Sequence, residues 1–387
     1  MKILLVSLFL PQKKARHAGG RYVFELLRNL SERHEISLAT RLEEGEAADI
    51  EELRPLCREI YPYTYRTVAR RNILDKILLA FNYLGFSRFA DRLIRNGEFD
   101  LVQVEWVPAA LLIHRGNTPL LLDAHDVITK PAERKMRQSN GLGWLVAWCG
   151  WRLVRAVEQR IARRFTVILT LSEYDRQYLL QMSPELNVTT VPIPAGMDIT
   201  AKSYLRIPNT ILFLASYKYR RFNVDAALYF YREVLPLVRR RVPGARFIIA
   251  GYGPPEELTA LAEADPLVAV PGFIDDLDRC YKEATVFVAP ILTGGGLIVK
   301  VLDALAAGTP VVTTSYGNEG VNGVPGRDLL VADDPEAFAE AVIRLLTDEE
   351  LAARLAANGR DFVREHYSLD VSIARLERVY GDVKEGQ

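Results

Sequence analysis

Residues 288–320 read VAPILTGGGLIVKVLDALAAGTPVVTTSYGNEG, and this stretch decides the fold. A short apolar strand runs into Gly294, Gly295 and Gly296, a helix follows over about 298–307, and a Gly-Thr-Pro break leads into a second apolar strand. Strand, turn, helix and strand with no charge on either strand describe one unit of a parallel α/β sheet covered on both faces. Three consecutive glycines leave backbone N–H groups bare where a helix begins, so they form a candidate cradle for an anionic oxygen. Lys300 and Asp303 stand three residues apart on one helix face, a cation and a hydroxyl acceptor on the same turn. The plain alternative is a simple loop with Lys300 paired to Asp303 in solvent.

The 387 residues suit two domains, each with its own core. A 49% hydrophobic share and 25% charged residues are ordinary globular values. The zero net charge hides an asymmetry, because residues 1–205 carry 29 Lys and Arg against 23 Asp and Glu, leaving 20 against 26 for the rest. The first half is therefore the better match for an anionic partner. Cys57, Cys149 and Cys280 are odd in number and far apart, which argues against a disulfide framework or structural zinc and fits a reducing cytoplasm. The opening MKILLVSLFLPQ reads as a buried first strand rather than a signal peptide, and no apolar run is long enough to span a membrane.

Strands are expected at 3–10, 34–40, 100–105, 120–126 and 166–172, then at 210–215, 246–250, 268–270, 286–289 and 311–313, with helices such as 21–31 and 224–242 between them. That alternation predicts α/β architecture with doubly wound parallel sheets and active groups at the carboxyl ends of the strands. Gly19 and Gly20 fall at the first loop-to-helix junction, and His125, one of five histidines, closes a strand. The polar run 201–208 reads as a linker, giving domains over 1–203 and 204–367 with a C-terminal helix at about 368–387 packed back on the first.

The stretch 289–312 resembles the nucleotide-sugar signature of family 4 retaining glycosyltransferases, through Ala289-Pro290 and Leu302-Asp303-Ala304-Leu305-Ala306-Ala307-Gly308-Thr309-Pro310-Val311-Val312. The first Glu of that family's Glu-x7-Glu pair falls on Gly295 and the second on Asp303, as in the branch with a Gly-rich turn and a Lys before Val-Leu-Glu. The resemblance implies the GT-B architecture, two Rossmann-like domains facing a cleft, with the nucleotide-diphosphate sugar held mainly by the second. It implies ribose hydroxyls on Asp303, phosphates near Lys300 and the amides of Gly20, Gly294, Gly295, Gly296 and Leu297, and a base site at Gly253, Phe273 and Ile274. Gly19 and Gly20 would face the donor diphosphate, and His125 the transferred sugar. The phosphate-binding cation of the family falls nearest Arg221 in SYKYRRFN, with Lys218 and Arg220 as alternatives. No metal and no cofactor beyond the donor are implied.

Two segments fit no nucleotide site. Residues 66–95 mix arginines with aromatics, and residues 129–165 carry nine Lys or Arg against two Glu, together with Trp144, Trp148 and Trp151 on one helix face. Cations beside indole rings suit an anionic bilayer, and the alternative is that the rings join the core. The expectation is a glycosyltransferase acting on a glycan or lipid-linked acceptor, without nucleic acid, in the cytoplasm and peripheral on the inner face of the membrane. A sugar-nucleotide epimerase and a non-catalytic partner subunit are the rival readings.

Overall fold

The computed structural model describes residues 1–13, 18–43, 46–65, 73–218, 220–293 and 297–386. It divides into two compact units, Met1–Pro192 with Ile373–Gln387, and Ile193–Ser372. In the first, β1 (Lys2–Ser7), β2 (Glu35–Glu43), β3 (Glu59–Tyr65), β4 (Leu101–Glu105), β5 (Leu120–Asp123), β6 (Val167–Thr170) and β7 (Val188–Thr190) form one parallel sheet. Their order is β3-β2-β1-β4-β5-β6-β7, so the winding reverses between β1 and β4. Central strands β4, β5 and β6 are buried throughout, which is why they read as mainly apolar, with Gln103, Glu105 and Asp123 as buried polar exceptions. The sequence reading missed β3, whose Pro62 sits opposite Thr40. Proline cannot donate to a ladder, and an edge strand needs only one partner.

The second unit repeats the plan. Strands β8 (Thr210–Leu214), β9 (Arg246–Ala250), β10 (Val268–Gly272), β11 (Val286–Ala289), β12 (Val311–Thr313) and β13 (Leu330–Val331) are parallel in the order β10-β9-β8-β11-β12-β13. Here the winding reverses between β8 and β11. The expected helix 224–242 starts earlier and is interrupted: Arg221–Tyr229 passes through a π turn at Phe230–Val234 into Leu235–Arg241. Pro236, with no N–H to give and a ring that crowds the preceding turn, accounts for the break.

The unit boundary lies at Pro192/Ile193 rather than after residue 203, because the expected linker is held by the second unit. Lys282 Nζ donates to the carbonyls of Thr200 (2.6 Å) and Lys202 (2.8 Å), and Ile207 N–H reaches the Glu283 carbonyl. The last helix, Leu369–Glu385, starts in the second unit and finishes in the first, where Tyr380 is buried and donates to Gln103 Oε1 at 2.5 Å.

Two glycines with positive φ at the strand ends of the second sheet differ in what surrounds them. A Cβ on Gly251 (φ +133°) would lie 1.7 Å from the Ala215 carbonyl oxygen, whereas one on Gly272 (φ +78°) would meet nothing within 4 Å. Gly272→Ala should cost only the left-handed penalty of about 1–2 kcal/mol. Gly251→Ala should cost more than about 3 kcal/mol, because the ends of β8 and β9 must part. Urea unfolding of both variants checks this, and equal losses would contradict it.

Candidate functional site

In a doubly wound sheet the connections leave opposite faces where the order reverses, so ligands are received beyond the strand ends at that point. Each unit assembles its ionisable groups there.

In the second unit, Arg221–Tyr229 follows β8 and Val299–Ala306 follows β11, so both helices begin at the reversal. A hydrogen bond joins them, from Lys300 Nζ to Asn223 Oδ1 at 2.8 Å, while Asn223 Nδ2 is spent on the Ser216 carbonyl (2.7 Å). The Lys300 ammonium also lies 5.0 Å from the Phe213 ring centre. No carboxylate pairs with it among the described residues, so the solvated Lys300–Asp303 pair is not what forms. Burial, and then the nearby Arg220 charge, pull the Lys300 amine down to about 7. Asp303 instead accepts the Gly196 N–H at 2.8 Å, tying down the segment that enters the unit.

Arg221, the nearest match to a phosphate-binding cation, is exposed and engaged by Asp225 (2.7 Å) and Glu257 (2.5 Å). Arg220 is the cation that acts on Lys300, and it has no ion-pair partner among the described residues. Lys218 Nζ donates to Tyr252 OH at 3.2 Å. Gly253 (φ +66°) brings its backbone against Lys218, where a Cβ would come within 2.7 Å of the Lys218 Cβ. Beyond β10, Phe273 is 60% exposed and edge-on to Tyr252 at 6.5 Å, and Ile274 packs against the core. Leu297 N–H has no partner among the described residues. Gly294, Gly295 and Gly296 lie outside the described residues.

In the first unit, Gly19 and Gly20 fall in the opening turn of the first helix, Ala18–Leu30, at its start as the sequence reading placed them. A Cβ on Gly19 would come within 2.5 Å of the Trp106 ring, so this glycine makes room for an indole. Trp106 follows β4 with φ +69°, a strained backbone for a bulky residue, and stacks on His125 with centroids 4.1 Å apart and planes at 17°. His125 Nε2 is 2.7 Å from Glu105 Oε2, and Glu105 Oε1 accepts from Gln103 Nε2 at 2.6 Å. Asp123 Oδ2 accepts from Tyr22 OH at 3.3 Å, while its Oδ1 is buried without a partner. Burial drives the Glu105 and Asp123 carboxyls above the usual range and the His125 imidazole below its own. Glu105, Asp123 and His125 offer ligand atoms within 4.8 Å of one another, the one set among the described residues with the donor types of a divalent ion. Both Glu105 oxygens and one Asp123 oxygen are already taken by protein groups, which fits protons better than a metal as the neutralising charge.

Sequence reading located His125 and Lys300 but missed Glu105, Asp123, Trp106, Gln103, Tyr22, Tyr380 and Asn223. The signals were a Glu closing the buried strand DLVQVE, an Asp closing LLLD and the Asn of RRFN. None has meaning until the strand order makes β4 the neighbour of β1 and β5.

The tryptophan face stays out of the core, with Arg152 over the Trp148 ring and Arg155 over the Trp151 ring, each at 5.5 Å. None of Trp144, Trp148 and Trp151 is in the core. Along the helix Gly141–Ala162 they lie opposite a second apolar stripe, Leu142 (83% exposed), Val146 (73%), Leu153 (67%) and Val157, which falls within roughly 60° of arc and ends at Arg160. Of the nine cations, Lys130 is sealed in an ion pair with Asp175 at 2.8 Å. No helix among the described residues is long and apolar enough to cross a membrane.

Two family models match this chain, Glycosyltransferase Family 4 over residues 19–199 and Glycosyl transferases group 1 over 208–348. Similar proteins include a phosphatidyl-myo-inositol mannosyltransferase of Mycolicibacterium smegmatis, 26% identical over 75% of this chain and 73% of that protein. A GDP-mannose-dependent alpha-(1-6)-phosphatidylinositol monomannoside mannosyltransferase of Mycobacterium tuberculosis is 28% identical over 74% and 76%. Among solved structures, a sucrose-phosphate synthase of Thermosynechococcus elongatus superposes with a TM-score of 0.77 at 18% identity over the whole of both chains. Anabaena HepE in complex with UDP gives 0.64 at 13%, again over both whole chains. These likenesses establish the GT-B fold, and the chain belongs to the family 4 glycosyltransferases.

The buried carboxyls make stability depend on pH. Glu105 and Asp123 keep their protons in the folded chain at pH values where the unfolded chain has lost them, so unfolding releases protons and stability falls as pH rises from about 4.5 toward 7. Glu105→Gln should flatten that slope by more than about 1 kcal/mol across the window. Denaturant titrations at several pH values check it, and an unchanged slope would contradict it.

Proposed function

We propose that this enzyme moves a hexose from a nucleoside-diphosphate donor to a lipid-linked or glycan acceptor, with retention at the anomeric carbon and without a metal or other cofactor. One observation carries the reading. Lys300 is an ammonium held at the reversal of the second sheet with an amide oxygen and an aromatic ring for company, beside Arg220, and with no counter-charge among the described residues. Such a group is destabilising until an anion arrives, and a diphosphate is an anion of the right charge for two cations. As the bond from the sugar to the diphosphate breaks, negative charge grows on the leaving oxygen, and cations already in place stabilise it without reorganising. Asn223 aims Lys300, Leu297 N–H adds a donor, Asp303 takes the ribose hydroxyls, and Phe273 with Tyr252 offers the base an aromatic edge. His125 meets the transferred sugar. Mannose from GDP-mannose is the donor that the mycobacterial relatives' names favour.

Those names also favour a phospholipid acceptor. The stripe of Leu142, Val146, Leu153 and Val157, with Arg160 in line with it, suits shallow insertion into an anionic leaflet from the cytoplasmic side. Each cation near that surface adds about 1 kcal/mol. Leu153→Glu should abolish sedimentation with anionic vesicles at low salt. Neutral vesicles should recover little protein, and recovery equal on both lipids at both low and high salt would sink the membrane reading.

A donor panel scored by nucleoside-diphosphate release, with a lipid extract as acceptor, tests the reaction. Release with no donor sugar would contradict it. Lys300→Ala should weaken nucleoside-diphosphate binding by about 1–3 kcal/mol. With its amine near 7, Lys300 is mostly neutral at pH 8, so binding should draw in close to one proton. Calorimetry in two buffers of different ionisation enthalpy reads that uptake, and an uptake that persists in Lys300→Ala would remove Lys300 from the phosphate site.

A further inference from the structure

Glu105 is sealed within the first unit and has no role in binding a donor, yet it is the partner of His125. We propose that Glu105 is a positioning residue that fixes the protonation of His125, so that Nδ1 is a hydrogen-bond donor at neutral pH. This rests on the reading of His125 as the group that meets the transferred sugar.

The geometry is a chain of four side chains. Tyr380 OH donates to Gln103 Oε1, which leaves Gln103 only its N–H groups to offer Glu105. Glu105 Oε1 takes one of them, and Oε2 faces His125 Nε2 at 2.7 Å. Trp106 covers one face of the imidazole and Tyr22 lies edge-on at 5.6 Å, so the ring is held against rotation. His125 keeps 6% of its surface exposed, and its Nδ1 has no partner among the described residues.

The proton count follows from these contacts. With one proton between Oε2 and Nε2, either Glu105 is a neutral acid donating to Nε2 or the pair is a carboxylate and an imidazolium, and Nδ1 bears a hydrogen in both forms. Only when the pair loses that proton does Nε2 become the donor to a carboxylate and Nδ1 an acceptor. The groups facing the pair are Asp123 from β5, Asp126 just after it, Tyr22 from the first helix and Tyr380 from the last. Among the described residues no lysine or arginine acts on Glu105 or Asp123, and both tyrosines titrate well above their ordinary value. Asp123 and Asp126 oppose a further negative charge, the Tyr22 hydroxyl and the Tyr380–Gln103 pair moderate it, and burial, the largest effect, carries Glu105 up to about 8. Nδ1 therefore donates to a sugar oxygen through neutral pH and stops donating above about 8.

The test uses the full-length protein labelled with 15N-histidine, together with the pH profile of kcat/KM. In the parent, the His125 signals should report a protonated Nδ1 at pH 7 that is lost with a midpoint near 8, and activity should fall on the same limb. Glu105→Gln turns its carbonyl to the Gln103 N–H and its own N–H to His125 Nε2, so it should hold Nδ1 protonated and abolish both that transition and the activity limb near 8, with nucleoside-diphosphate affinity unchanged. Tyr380→Phe loosens Gln103, removes support from the ionised form of Glu105, and should move the limb to higher pH. A His125 titration unaltered in both variants would overturn the proposal. So would a limb that vanishes on chelation and returns with a divalent cation, since the neutralising charge would then be a metal. If the nitrogen signals behave as stated while activity shows no limb near 8, the reading of His125 as the sugar-facing group fails and the Glu105 pairing stands.

Discussion

The reversal of strand order inside each parallel sheet is the constraint on which the rest depends. Where the connections part to opposite faces, two helices begin side by side and no crossover covers the strand ends. In the second sheet the reversal brings Asn223 and Lys300 within hydrogen-bond distance although they are far apart in the chain. In the first it sets the end of β4, with Glu105 and Trp106, beside the ends of β1 and β5, and so builds the cluster around His125. The same topology used twice gives one chain two chemically different sites.

Both sites hold ionisable groups against their preference for water. Lys300 is short of an anion, and Glu105 with Asp123 is short of a cation. The two shortages are met differently. An amine with a lowered pKa and a second cation nearby is prepared for a ligand that brings negative charge. Carboxyls with raised pKa values, closed in by Tyr22, Tyr380 and Trp106, are instead neutralised by protons that stay. Trp106 adds a strained backbone to this cost, and the return is an imidazole ring held in one orientation.

The fold was legible because its strands are buried on both faces and appear as apolar runs at regular spacing. What escaped lay at the edges: β3 carries Pro62, and β7 and β13 are only three and two residues long. The residues that bear chemistry were legible only in part. Lys300 and His125 stand next to glycine-rich or strand-end signals, whereas Asn223 and Glu105 acquire meaning through partners distant in sequence. Arg221 illustrates the limit, since one position along the helix separates a cation paired with Asp225 and Glu257 from Arg220, which acts on Lys300.

Hydrogen–deuterium exchange of the full-length chain, with and without a nucleoside diphosphate, tests the central claim most directly. The account predicts slowed exchange at the strand ends of the second sheet, over residues 215–223, 251–253 and 297–303. Protection confined to the first unit, or absent from 215–223 and 297–303 under saturating ligand, would contradict it.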